Sequence, residues 1–270
     1  MTSFIEAQKR ENKTIGFVPT MGALHLGHLT LVRESIKNNS CTVVSIFVNP
    51  TQFNNKEDLK LYPRDEQTDF ALLEKEKCDA VFFPDVEEMY PEPDEREFNL
   101  GSLATVMEGE FRPGHFNGVV QIVTKLFDIV KPNKSYFGKK DFQQLAIIQH
   151  ITKQLNYNLE IIPVPTVREH DGLAMSSRNM RLTTEQRKIA PKVFEIMSEA
   201  VSEKKNYNVQ DLKNMVVSKI NNIYGLKVEY FDIVNSQTLM PINSWHEKCN
   251  KVGCIAVFCG NVRLIDNISF

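Results

Sequence analysis

Cysteine is sparse and shows no pairing pattern. The five thiols, Cys41, Cys78, Cys249, Cys254 and Cys259, are odd in number and include no C-x-x-C pair. A disulfide framework and a structural zinc site are both disfavoured, which leaves reduced, mostly buried thiols of a cytoplasmic protein. No apolar run approaches the ~20 residues needed to span a bilayer, and the opening MTSFIEAQKRENK has no apolar core of signal-peptide length. Charge of one sign is lacking too. A formal net charge of −2 gives no overall basic field, which argues against a dedicated nucleic-acid binder while leaving room for a local cationic pocket. No internal repeat or low-complexity tract stands out.

What is present is ordinary in amount and ordered in pattern. The chain has 270 residues, 42% apolar and 24% charged, enough for one large domain or two modest ones with a substantial core. Up to about residue 165, strand-like and helix-like segments alternate. TIGFVPT (14–20) predicts a strand, HLTLVRESIKNN (28–39) an amphipathic helix, and CTVVSIFVNP (41–50) a strand buried on both faces of a parallel sheet. A helix around 64–77, a strand at 79–84, a helix at 118–130, a strand at 135–138, a helix around 141–155 and a strand at 159–165 follow. Such alternation implies right-handed βαβ units and a doubly wound α/β sheet, whose ligands sit beyond the carboxyl ends of the strands. After Arg181 comes a long helical stretch with a capping box, Thr183 to Gln186, divided at Pro191. Two strand-like runs, KVEYFDIV (227–234) and CIAVFCGNVRLI (254–265), then suggest a second, smaller α+β domain.

Four strand ends carry unusual residues. In PTMGALHLGH (19–28), His25 and His28 flank Gly27 where a helix begins. A helix N-terminus offers N–H groups and positive dipole to phosphate, Gly22 and Gly27 permit close approach, and a neutral imidazole N–H can donate to phosphate oxygen. Two surface histidines in a loop is the plainer alternative. FVNPTQF (47–53) places the neutral amides Asn49 and Gln52 after a buried strand, though Asn-Pro is also a simple turn. SYFGKKDFQQL (135–145) sets Lys139, Lys140 and Asp141 at a turn and Gln143 and Gln144 in the next helix, suited to phosphate or to plain capping. VREHDGLAMSSRNMRL (167–182) offers Ser176, Ser177 and Arg178 to phosphates, or serves as a flexible linker. Taken together, two histidines, a lysine and an arginine at strand ends point to a nucleotide site.

These motifs resemble a known family. The H-x-G-H after the first strand and the serine-rich basic loop are similar to the HIGH and KMSKS pair of the nucleotidylyl-transferases. PTMGALHLGH, SIFVNPTQF, FRPGHFNGV, FGKKDFQQL and PTVREHDGLAMSSRN resemble, in order, the pattern of the pantoate–β-alanine ligase family. The resemblance implies a Rossmann-like ATP- and pantoate-binding domain at 1–175 and a small C-terminal lid at 176–270. It implies pantoate attack on the α-phosphorus of ATP, with Mg²⁺ as cofactor, followed by β-alanine attack on the acyl adenylate. His28 becomes the proton donor and His25 its companion on the phosphates, with Lys140 and Arg178 as further catalytic residues. Met21, Gly22, Ala23, Leu24, Leu26, Gly27, Gly138, Lys139, Asp141, Val167, Met175, Ser176 and Ser177 complete the ATP site; Gln52, Gln144 and Asn49 hold pantoate and β-alanine. Asp69 falls where the family places a magnesium contact, although a surface helical aspartate is the plainer alternative. Relatives form homodimers, bind small molecules and need neither nucleic acid nor membrane. One departure is Lys139, where relatives carry glutamate; the exchange is harmless if that position acts through its backbone N–H. Another HIGH-type enzyme and a non-catalytic nucleotide-binding protein are the competing assignments.

Overall fold

A computed structural model describes residues 1–270. The chain forms two compact units: 1–101, 111–139 and 144–165 make the first, and 102–110, 140–143 and 166–270 the second.

The first unit is a parallel sheet of β1 (Ile15–Thr20), β2 (Cys41–Ile46), β3 (Ala80–Phe82), β4 (Lys134–Gly138) and β5 (Glu160–Val164), in the order β3-β2-β1-β4-β5. All four pairings are parallel, from Ile15 opposite Cys41 to Gly138 opposite Val164. Every residue of β2 is buried, as its β-branched run requires of a central strand. The helices Leu26–Asn38, Glu66–Lys75, His115–Val130 and Phe142–Gln154 provide the crossovers. Val18, Val32, Val44, Leu73, Tyr136 and Val164 belong to one buried cluster on this sheet. The chain runs outward from β1 through β2 to β3, then returns to β4 on the other side of β1. The loops leaving β1 and β4 therefore emerge at the topological switch point, where a doubly wound sheet opens a ligand crevice.

The second unit packs the helices Thr184–Ile189, Lys192–Glu203 and Val209–Asn221 on an antiparallel sheet, β6 (Leu226–Asn235), β7 (Lys251–Cys259) and β8 (Val262–Ser269). The expected capping box forms, Gln186 N–H donating to Thr183 Oγ1 and Thr183 N–H to Gln186 Oε1. Pro191 divides the helical stretch, standing at the N-cap of Lys192–Glu203. CIAVFCGNVRLI is not one strand but the meeting of two, with Cys259 opposite Val262 and Gly260 turning at φ +56. The apolar run conceals that turn, because both strands are buried. The helices Thr2–Arg10 and Val209–Asn221 were not expected from the sequence; the second buries Val209, Leu212, Val216 and Ile220 at helical spacing. All five cysteines are free, and burial pushes the Cys41 and Cys78 thiols up to about 11, so neither is a reactive thiolate. No helix is long and apolar enough to cross a membrane.

Candidate active site

The loop leaving β1 is built around backbone donors. Thr20 Oγ1 donates to the Ser45 carbonyl at 2.7 Å and accepts the Gly22 N–H at 3.3 Å. Gly22 and Ala23 both take positive φ, +75 and +48. Glycine tolerates this freely, whereas alanine stays there only if neighbours impose it. The neighbour is Asp69, on the helix Glu66–Lys75. Its Oδ2 accepts the Ala23 N–H at 2.8 Å and its Oδ1 the Leu24 N–H at 2.7 Å. Asp69 is thus not a surface residue: it is 2% exposed. Burial pushes its carboxyl pKa up, and the Leu24 and Ala23 N–H groups pull it back.

The helix Leu26–Asn38 then starts on a capping box made of two histidines. His25 is the N-cap, its Nδ1 accepting the Gly27 N–H at 3.1 Å, and His28 Nδ1 accepts the His25 N–H at 3.4 Å. The two rings stack with centroids 4.0 Å apart and planes 28° from parallel. A backbone N–H can only donate, so each Nδ1 must be bare. In a neutral ring the proton then sits on Nε2. The caps therefore select the tautomer whose outer nitrogen is a donor, which is what an anionic oxygen requires.

Asn49 and Gln52 meet in the turn after β2. Asn49 is 1% exposed and all four of its hydrogen-bonding positions are used. Its Nδ2 donates to the Gly118 carbonyl at 3.1 Å and to Gln52 Oε1 at 3.4 Å; its Oδ1 accepts from Tyr90 Oη at 2.7 Å and Thr51 Oγ1 at 3.2 Å. Gln52 Nε2 lies 2.8 Å from Met21 Sδ, joining this turn to the loop after β1. The Gln52 carbonyl is held by His115 Nδ1 at 2.7 Å, and Arg112 Nη1 contacts the other ring nitrogen of His115 at 3.1 Å. A carbonyl only accepts and a guanidinium only donates, so His115 is neutral with its proton on Nδ1. Gly118 allows this packing, since a Cβ there would lie 2.4 Å from the Thr51 carbonyl oxygen. Gln144, half-buried, lies in the first turn of Phe142–Gln154, while its neighbour Gln143 is 4% exposed and donates to Leu103 and Val106 carbonyls.

At the end of β4, no atom would crowd a Cβ on Gly138. The Lys139 N–H donates to the Val164 carbonyl at 2.8 Å, which extends the β4–β5 ladder and commits that N–H to the sheet. Lys140 and the remaining candidates belong to the second unit. Lys140 Nζ lies 3.7 Å from Asp141 Oδ1 with its side chain largely buried. Met175 N–H donates to the Val167 carbonyl at 3.0 Å, closing the loop that carries the serines. Ser176 Oγ accepts the Arg178 N–H at 3.3 Å and caps the 3-10 turn Ser177–Arg181, in which Ser177 is buried. Arg168 anchors this loop through paired bonds to Asp266 at 2.6 and 2.9 Å, with its guanidinium 3.5 Å above the Phe194 ring.

A pantoate–β-alanine ligase family profile matches residues 1–269. The chain belongs to that family. Pantothenate synthetase of Bacteroides thetaiotaomicron is 52% identical over 266 residues, covering 98% of this chain and 94% of that protein. The Azobacteroides pseudotrichonymphae pantothenate synthetase is 54% identical over 263 residues, covering 97% and 94%. Among solved structures, a pantothenate synthetase from Thermus thermophilus superposes with TM-score 0.90 at 39% identity, over 98% of this chain and 96% of that one. The Francisella tularensis pantoate–β-alanine ligase, crystallised with β,γ-ATP and β-alanine, gives TM-score 0.80 at 37% identity, over 98% and 94%.

For a ligase of this family, two site features escape motif reading. Asp69 is a partner of the loop after β1, and His115, Gly118 and Tyr90 support the Asn49–Gln52 turn. FRPGHFNGV signalled the second of these without revealing what it supports. The residues do not form a protein-held magnesium site. No three His, Cys, Asp or Glu side chains gather where they could hold a metal ion, and each Asp69 oxygen already accepts a backbone N–H.

Proposed function

We propose that this chain condenses (R)-pantoate with β-alanine using ATP, releasing AMP and pyrophosphate through a pantoyl-adenylate intermediate. The observation that carries the proposal is the histidine capping box, which turns two neutral rings into Nε2 donors at the start of a helix. In the first step a pantoate carboxylate oxygen attacks the α-phosphorus and the bond to the β-phosphate oxygen breaks. Phosphoryl chemistry of this kind needs alignment and stabilisation of charge on oxygen more than covalent help. His28 and His25 donate to the triphosphate, and Lys140 and Arg178 add positive charge. Met21 to Gly27, Gly138, Lys139, Asp141, Val167, Met175, Ser176 and Ser177 complete the nucleotide contacts.

Gln52 binds pantoate and afterwards faces β-alanine, with Gln144 on the other side of pantoate. Asn49, whose polar atoms are all committed, serves by holding Gln52 instead of touching substrate. In the second step the β-alanine amine attacks the acyl carbon, and the acyl–oxygen bond to AMP breaks. No serine or cysteine nucleophile is required. A homodimer working in the cytoplasm belongs to the same proposal, and sedimentation of purified protein reads its oligomeric part.

A one-pot assay tests the reaction. Continuous release of AMP and pyrophosphate should require both pantoate and β-alanine, with pantothenate formed in equal amount, whereas pantoate alone should release no more than one pyrophosphate per site. ATP hydrolysis indifferent to pantoate would remove the ligase assignment.

A further inference from the structure

The loop after β1 departs from the usual phosphate-binding helix start. Such sites present several backbone N–H groups to the anion. Here the Gly22 N–H goes to Thr20 Oγ1, the Ala23 and Leu24 N–H groups to Asp69, the His25 N–H to His28, and the Gly27 N–H to His25. Five backbone donors are therefore turned onto the protein itself. Anion recognition passes from the backbone to the rings, and the position of the rings depends on how the loop is held.

Asp69 is the part of that scaffold most distant in sequence, reaching in from a separate helix. Its carboxylate is almost wholly shielded from solvent and engages two successive N–H groups, one through each oxygen. The Ala23 backbone sits at φ +48, a conformation an L-residue holds only under constraint. Gly22 makes room for the anchor, because a Cβ at that position would stand 2.9 Å from Asp69 Oδ2. The glycine is thus explained by the carboxylate beneath it as much as by any ligand above it.

We infer that Asp69 is a positioning residue for nucleotide binding: its carboxylate fixes the Met21–Leu24 turn, and thereby where His25 and His28 present their Nε2 donors. It acts through the loop, without touching nucleotide or magnesium. The inference rests on the proposal that this loop receives the triphosphate.

The test uses full-length wild type, Asp69→Asn and, as a second route, Gly22→Ala. In Asp69→Asn one oxygen still accepts an N–H, but the amide nitrogen faces the other N–H, donor against donor. Gly22→Ala keeps the carboxylate and pushes on it. Binding of β,γ-imido-ATP is measured by calorimetry, exchange of the 21–28 amides by mass spectrometry, and KM separately for ATP and pantoate across a magnesium titration. We expect both variants to weaken analogue binding and raise KM for ATP about tenfold or more, as misplacing a binding group does. KM for pantoate should rise less than KM for ATP, its link to the loop being the Met21–Gln52 contact; exchange should quicken in 21–28 but not in β1, and half-saturating Mg²⁺ should not move. Restoration of Asp69→Asn by excess Mg²⁺ would identify a metal ligand and overturn the inference. So would unchanged analogue binding and exchange in a folded Asp69→Asn protein, or, if that variant does not fold, in Gly22→Ala. Wild type that binds the analogue yet makes no pantothenate would instead remove the proposed reaction and leave the anchor standing.

Discussion

At the scale of single residues, the His25–His28 pair is defined by which ring nitrogens are bare. Both Nδ1 atoms of the His25–His28 pair accept backbone N–H groups, so protonating either ring would set donor against donor and break a cap. The pair should work neutral, stabilising negative oxygen by hydrogen bonds and not by full charge. A single donor aimed at a developing oxyanion is typically worth ~3–4 kcal/mol, a hundred- to a thousandfold in rate. The cap it forms is worth only ~1 kcal/mol. His28→Ala should therefore slow single-turnover adenylate formation at least tenfold while its melting temperature changes little. An unchanged rate in a folded variant would remove the role given to His28. The H-x-G-H spacing made this pair legible in the sequence. Its tautomers were not, since they depend on a capping geometry that exists only once the helix has formed. Asp69 was legible as an acidic residue of a helix, but its anchoring role depends on a contact more than forty residues away in the chain.

At the scale of elements, the strands of the parallel sheet announce themselves because burial on both faces demands continuous β-branched and aromatic runs, as in CTVVSIF. What supports the turns between them leaves no such trace. The Asn49–Gln52 turn rests on the helix His115–Val130 through the Gly118 carbonyl, the His115 ring and the missing Cβ of Gly118. A methyl group at Gly118 would meet the Thr51 carbonyl oxygen at 2.4 Å and the Gln52 nitrogen at 3.0 Å, both backbone atoms that cannot swing aside. Gly118→Ala should lose about 1–3 kcal/mol of stability by overpacking. It should also raise KM for pantoate more than KM for ATP, and an equal rise in both would count against this support. The same helix carries a charge device at its flank. Asp94 is paired with Arg96 at 2.7 Å and Lys125 at 3.6 Å, and the Arg96 guanidinium holds its carboxyl down at about 2. A depressed folded value means the contribution is complete above the unfolded pKa of ~4 and is lost as pH falls towards 2. With Arg96 partly in solvent, that contribution is at most about 2 kcal/mol. Asp94→Asn should lower the melting temperature at pH 7, and the gap from wild type should narrow between pH 4 and 3. A gap that stays constant would refute the pairing.

At the scale of the whole molecule, the chain passes between its two units at 101/102, 110/111, 139/140, 143/144 and 165/166. The change of character after Arg181 shows that there is a second unit, but nothing in local pattern shows that Ser102–Glu110 and Lys140–Gln143 belong to it. Their membership is fixed by long-range polar contacts. Glu108 accepts Arg263 Nη1 and Nη2 at 2.8 and 2.7 Å and Tyr230 Oη at 2.9 Å, while Glu229 takes Arg263 Nε at 2.9 Å. Burial works against the Arg263 charge, and the two carboxylates more than restore it. Gln143 accepts the Glu108 N–H at 3.0 Å, and Asn267 Nδ2 donates to the Lys140 carbonyl at 2.9 Å. A fragment of residues 166–270 would keep the helices and sheet of this unit yet leave Arg263 one carboxylate short. Removing one partner of a buried ion pair costs about 3–5 kcal/mol. With Arg263 part-buried and Glu229 still in place the loss should fall below that, yet it remains a sizeable share of the about 5–15 kcal/mol of an ordinary domain. The isolated fragment should therefore be marginal, with broad amide resonances and no cooperative melt. In the full chain, Glu108→Ala should reproduce part of that loss. A fragment with dispersed resonances and a sharp transition would show that the buried cluster is not what holds this unit together.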